Sequence, residues 1–308
     1  MAWPVNTEHS AYFRAATLGL TLFLVGCGQP PVDSADGRLP VFVGIPPLGY
    51  LVEQIGGPRV SVSVLVQPGQ DPHTFEPMPR QVVTLSKARL FFKIGMPFEN
   101  TLLEKIQQSN QRLTVVDTAS GIEKHAMEAA CGEQGHEHTE KANAGEPDPH
   151  VWLSPPLLKV MANNIAESLQ QADPANAQEY RTNLAAFLAH LDALHEKIAQ
   201  MLTPYRGRAF YVFHPAFGYF ADAYGLKQVA VEAGGRSPTP KQLQALIEQA
   251  RKDRVTVIFA QPQSPQQSAQ VIADAIGGKV VAINGLAGNV VEDIEDIAVK
   301  VASAMKGT

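Results

Sequence analysis

The sequence predicts an α/β protein of two lobes, each with a mostly parallel sheet, joined by one long backbone helix. Three observations carry this expectation. Short apolar runs alternate with helical patterns from Leu39 to about Val116; the alternation restarts at Ala209; and a longer helical stripe lies between the two stretches. Such alternation argues for parallel strands with helices on both faces of each sheet. The length of 308 residues also fits two cores, because single cores stop growing near ~250–300 residues.

In order, Val41–Ile45 reads as a strand followed by a helix to about Ile55, and Val60–Val66 as a second strand. Arg80–Ser86 is helical, Leu90–Ile94 a strand, Phe98–Gln108 a helix and Leu113–Val116 a strand. Ser154-Pro155-Pro156 then opens a helix, with serine as N-cap and proline in the first turn. Asp173-Pro174 opens the long one, whose apolar positions Tyr180, Leu184, Phe187, Leu191, Leu194, Ile198 and Leu202 step by four and three. Such a helix spans more than ~30 Å and can act as a strut between lobes. Beyond it, Ala209–Phe213, Gln228–Val231, Val255–Ala260 and Lys279–Ile283 read as strands. The helices between them include two expected capping boxes, Thr239…Gln242 and Ser264…Gln267, and Val291–Met305 is the last helix.

The N-terminus stands apart from this pattern. Ala15–Gly26 carries no charge, too short a run to span a bilayer but suited to a signal-peptide core. It ends in Leu24-Val25-Gly26-Cys27, which resembles a bacterial lipobox, so Cys27 is the expected lipidation site. The expected organisation is a lipoprotein signal peptide over 1–27, a tether over 28–38, an N-terminal lobe over 39–172, a linking helix over 173–204 and a C-terminal lobe over 205–308. With Cys27 lipidated, Cys131 is the second of two cysteines and no internal disulfide forms. A formal net charge of −5 leaves no basic footprint for nucleic acid.

Three histidines sit beside prolines: His73 in Asp71-Pro72-His73-Thr74-Phe75-Glu76-Pro77, His150 in Asp148-Pro149-His150-Val151-Trp152-Leu153, and His214 in Phe213-His214-Pro215-Ala216-Phe217. Neutral imidazole is a good ligand for zinc and similar metals, and proline beside each ligand fixes the local backbone. His73 and His214 each follow a strand at its carboxyl end, the rim where α/β sheets bind ligands. His73 and His150 are expected from the first lobe and His214 from the second, which places a metal site in the cleft between them.

With Gln67-Pro68-Gly69-Gln70 ahead of the first motif and Phe259-Ala260-Gln261-Pro262-Gln263 further on, these segments resemble the metal-binding receptors of bacterial zinc and manganese ABC transporters. The resemblance runs over roughly residues 40 to 306 and implies two α/β lobes joined by a rigid helix with the metal between them. It implies His73, His150 and His214 as ligands, and histidine at the third position marks the zinc subclass. Imidazole suits zinc as carboxylate suits manganese. At the fourth position, where many members carry aspartate, this chain has Asn284. Three histidines plus a water or a nearby carboxylate would then complete a tetrahedron, with Asp71, Glu76 and Glu232 as candidates beside Asn284.

The segment 123–148 is polar and acidic, and His125, His136 and His138 are candidates for an auxiliary metal site; a solvated loop is the alternative. His190 and His195 on the long helix lack metal spacing, and neither they nor His9 is expected to act. The implied function is an extracytoplasmic receptor, periplasmic or on the cell surface, that captures Zn2+ and delivers it to an ABC permease in the cytoplasmic membrane. A lipid anchor and a monomer are expected. Alternatives are a Mn2+ or iron receptor on the same scaffold, a zinc-dependent hydrolase and an adhesin. No His-Glu-x-x-His helix or nucleophile elbow supports the hydrolase, so the protein is not expected to be an enzyme.

Overall fold

The computed structural model describes residues 37–127, 147–232 and 238–306. The signal segment, Cys27, Cys131, His136 and His138 lie outside the described residues.

Two four-stranded sheets of parallel strands form the framework. The first contains β1 (Leu39–Val43), β2 (Val60–Val64), β3 (Leu90–Lys93) and β4 (Thr114–Asp117) in the order β2-β1-β3-β4. The second contains β5 (Ala209–Val212), β6 (Lys227–Ala230), β7 (Val257–Ala260) and β8 (Lys279–Ala282) in the order β6-β5-β7-β8. Register is regular, with Val41 opposite both Val62 and Leu90, and Val212 opposite both Ala230 and Phe259. The central strands are nearly continuous apolar runs, as both faces of a parallel sheet are covered by helices. In β7, Val257, Ile258, Phe259 and Ala260 are all buried.

Strand order reverses between β1 and β3, and again between β5 and β7. At such switch points the loops beyond the carboxyl ends diverge and leave a crevice. Beyond β5 the chain reaches His214, and beyond β7 it reaches Gln261. β2 is shorter than the sequence suggested, but Leu65 N–H and Val66 N–H still bond the Val43 and Gly44 carbonyls at 3.1 and 3.0 Å.

In the first lobe, β1 is followed by α1 (Pro46–Gly56), and α2 (Pro79–Leu85) and α3 (Pro97–Ser109) flank β3. α4 (Pro155–Ala172) leads into α5 (Ala177–Leu202), the 26-residue helix, about 39 Å long. Its stripe is as expected: Tyr180, Phe187, Leu191, Leu194, Ile198 and Leu202 are buried and Leu184 is half-buried. The helix packs on α1 and α4 at one end. At the other it packs on α6 (Gly218–Tyr224) and on the terminal helix α9 (Val290–Lys306). One contiguous apolar core therefore includes Val41 and Phe91 of the first sheet and Phe210 and Phe259 of the second.

α7 (Pro240–Lys252) starts with the expected capping box: Gln242 N–H donates to Thr239 Oγ1 and Thr239 N–H to Gln242 Oε1, at 3.4 and 2.9 Å. The box expected at Ser264 does not form. α8 (Gln266–Ala275) has Pro265 at its N-cap, and the Gln266 amide instead donates to the Gln261 carbonyl at 2.9 Å. Ser264 N–H is itself turned back to Gln261 O, so the residue belongs to the preceding turn. Among the described residues, no helix is long and apolar enough to cross a membrane.

Candidate metal centre

Two of the three histidines are held by one local device. In Asp71-Pro72-His73, Asp71 Oδ1 accepts the His73 backbone N–H at 2.9 Å; in Asp148-Pro149-His150, Asp148 Oδ1 accepts the His150 backbone N–H, again at 2.9 Å. Each is a turn closed by an aspartate over a proline of fixed φ. The first is pinned to its lobe by Phe75, buried against Phe98 of α3 with ring centroids 4.9 Å apart. The second sits on the buried single turn Val151–Leu153, where Trp152 Nε1–H donates to the Gly285 carbonyl of the second lobe at 2.6 Å. His214 lies two residues past β5, after Phe213, whose N–H bonds Phe259 O at 2.7 Å.

The three imidazoles converge. His73 Nε2 and His150 Nε2 are 3.3 Å apart, and His214 Nε2 and His150 Nε2 are 3.4 Å apart. Nitrogen ligands at ~2.0–2.1 Å on a tetrahedral zinc ion are about 3.3–3.4 Å from one another. The two measured edges match that tetrahedron.

Carboxylates fix which nitrogen faces inward. Asp148 Oδ1 lies 2.6 Å from His150 Nδ1, and Glu232 Oε1 pairs with His214 Nδ1. Each holds the ring proton on Nδ1 and leaves the Nε2 lone pair directed at the centre, the usual outer partner of a metal-binding histidine. Burial pushes the His73 imidazole down to about 3, and the neighbouring His150 and His214 rings push the same way. His150 is also lowered, first by burial, against the opposing pull of Asp148. Both rings are thus neutral around pH 7, the state a metal requires.

The cluster opens into a cleft of about 470 Å³ that Asp71, Glu232, Trp152, Met127, Gln261 and Leu286 also line. Of the fourth-position candidates, Asp71 spends its oxygens on His73 N–H and on the Thr74 hydroxyl. Glu76 is exposed and outside the cleft lining. The Glu232 oxygen on Nδ1 lies across the His214 ring from Nε2. Asn284 Oδ1 accepts the Gly285 and Leu286 N–H groups, both at 3.0 Å. Among the described residues no carboxylate or thiolate joins the three histidines.

His125 stands outside the cluster, on a second cavity; it stacks on Tyr219 and its Nδ1 lies 3.3 Å from Asp222 Oδ2. His190 is exposed, and His195 lies 3.4 Å from the Tyr224 hydroxyl. The sequence motif shows Asp148 but does not disclose its role. The signal that could have found it is the Asp-Pro-His pattern itself, which occurs twice and sets a carboxylate two residues before an imidazole.

Two α/β lobes around a cleft, with three imidazoles aimed at one point, define a two-lobed protein built to hold a metal ion. The chain belongs to the ZnuA family, zinc-uptake complex component A, periplasmic, which it matches over residues 41–299. A crystal structure of ZnuA has a TM-score of 0.78 and 38% identity, covering 87% of this chain and 99% of that one. A zinc-bound ZnuA deletion mutant gives a TM-score of 0.79 at 38% identity, covering 87% and 98%. The zinc-binding lipoprotein AdcA of Streptococcus pneumoniae serotype 4 is 28% identical over 275 residues, 88% of this chain. The chain spans about half, 54%, of that relative's length.

Proposed function

We propose that the protein is an extracytoplasmic zinc receptor. His73, His150 and His214 bind Zn2+ in the cleft, a water completes the tetrahedron, and the ion passes to an ABC permease in the cytoplasmic membrane. The observation that carries this reading is the pair of Nε2 separations, 3.3 and 3.4 Å, with carboxylates behind two of the rings. Three imidazole nitrogen donors suit zinc better than manganese, which prefers oxygen. Family membership and the zinc-bound relative support the same cargo. Attachment through lipidated Cys27 is part of the proposal, in keeping with the lipoprotein AdcA.

The site is read as a receptor site although three histidines and a water also serve catalytic zinc. A cargo ion must leave intact, and a site without an anionic ligand on the metal retains it less firmly than a full protein cage. The deciding experiment is titration of the metal-free protein with Zn2+ and Mn2+ against a chromophoric chelator. Zinc is expected to bind with sub-micromolar affinity and manganese far more weakly, and His214→Ala should abolish tight zinc binding. Equal or tighter manganese binding, or tight zinc binding by His214→Ala, would overturn the reading.

A further inference from the structure

One buried hydroxyl ties the second lobe to the segment that carries His150. Tyr219 is 3% exposed and sits on α6, five residues beyond His214. Its Oη accepts the His125 backbone N–H at 2.9 Å and donates to the Asp148 carbonyl at 3.0 Å. These two residues are joined to each other, since Asp148 N–H donates to His125 O at 2.8 Å, and Ala126 and Pro147 bridge just beyond. The Tyr219 ring stacks under the His125 imidazole, with centroids 4.6 Å apart and planes 24° apart. Asp148, which the phenol holds by its main chain, holds His150 by its side chain at both the backbone N–H and Nδ1.

We propose that Tyr219 is a positioning residue for the metal centre: its phenol locks Asp148 in place, and Asp148 in turn aims the His150 imidazole. The hydroxyl uses its proton and a lone pair on two backbone groups of the same neck, so loss of it leaves both without that partner. The same side chain belongs to the helix that follows His214, so it couples the two lobes' ligands beside the ion. It acts through Asp148 and does not touch the metal. The inference rests on the receptor reading above.

The test measures zinc affinity and the zinc release rate of the full chain in wild type, Tyr219→Phe, Asp148→Ala and the double variant, with His150→Ala as control. Tyr219→Phe keeps the ring and its stacking. We expect it to weaken zinc binding about tenfold, mostly through faster release, the scale of losing an outer partner of a ligand. In the Asp148→Ala background the same change should have little further effect, because the side chain that passes the contact to His150 is gone. Wild-type affinity and release in Tyr219→Phe, or an equal effect in both backgrounds, would overturn the proposal and leave Tyr219 a packing residue. If His150→Ala binds zinc as wild type does, the receptor reading fails instead. Amide hydrogen exchange of the wild-type protein gives a second measurement that needs no variant. Zinc should slow exchange of the His125 amide; exchange unchanged by zinc would also overturn the proposal.

Discussion

Two carboxylates, Asp148 and Glu232, orient two of the three histidines of the proposed ligand set, and they differ in how they could be read. Asp148 is two residues from its partner, inside a motif the sequence displays. Glu232 is 18 residues from His214, and only strand pairing explains the contact. β5 and β6 are parallel neighbours, and Glu232 N–H bonds Phe213 O at 3.0 Å, so the first residues past the two strands lie side by side. From one sequence, Glu232 is therefore legible as a candidate oxygen near the metal, but ligand and outer partner are not distinguished. The two roles separate by mutation. Glu232→Gln keeps an acceptor for Nδ1–H and should cost less than tenfold in zinc affinity. Glu232→Ala removes the partner and should cost about 10–100-fold in a competition titration. Equal effects of the two would contradict the orienting role. Acid adds a second prediction at this scale. Protons compete with zinc for imidazole nitrogen, but His73 is pushed down to about 3 and His150 is also lowered, both first by burial. Zinc affinity measured from pH 8 to 5 should thus fall less steeply than for three solvent-exposed histidines, whose ordinary value is about 6.5. A third-power dependence on proton concentration below pH 6 would refute it.

The elements were legible because their apolar periods are clean, and their ends were less so because ends depend on side-chain bonds. Thr239 caps α7 as its pattern suggested, whereas Ser264 is drawn into the turn before α8. The α3 terminus holds a device that the sequence did not disclose. Glu99 Oε2 accepts the N–H groups of Ile94, Gly95 and Met96 at 3.0, 2.7 and 2.9 Å, and so fixes the loop from β3 to Pro97, which lines the cleft. Its Oε1 is buried without a hydrogen-bond partner among the described residues and faces Gly44, where a Cβ would come within 2.3 Å. Burial raises the Glu99 carboxyl to about 7, against the three backbone bonds and Lys93. With an ordinary value of 4.5 in the unfolded chain, the folded protein binds the extra proton between 4.5 and about 7. The associated stability is thus present below 4.5 and lost as pH rises through about 7. Asp293 is also raised by burial, to about 6, while His73 acts in the opposite sense from 6.5 down to about 3, so the whole curve mixes several groups. The difference between Glu99→Gln and wild type isolates this one. Denaturant unfolding from pH 5 to 8 should show the variant gaining on wild type across that window. A difference independent of pH would refute the assignment.

At the scale of the molecule, the restart of the α/β alternation predicts two lobes, and both sheets have the expected parallel strands. The continuity between them was not legible. A helix stripe shows that one face is buried but not against what, and here α5 packs along α1 and α4 of one lobe and α6 and α9 of the other. Tie points reinforce it: Asn183 Nδ2 donates to Ile55 O at 3.0 Å, and Lys197 meets Glu295 of α9 at 2.5 Å. The exposed Lys197–Glu295 pair adds little energy, so the shared core sets the cooperativity. A core that includes Phe91 and Phe259 together should melt as one unit, and a metal ion bound by both lobes should shift that single transition. An ion that binds only the folded state adds about 2.7 kcal/mol at a hundredfold excess over Kd. Calorimetry of the metal-free protein is expected to give one transition, which zinc moves upward without splitting. His214→Ala keeps the core intact but removes the second lobe's proposed ligand, so its transition should stay single and respond little to zinc. Two transitions in the metal-free protein that merge only on zinc addition would mean that the ion, and not α5, unites the lobes. That result would require capture by closure of independent halves, where the continuous core calls for capture by a cleft already formed.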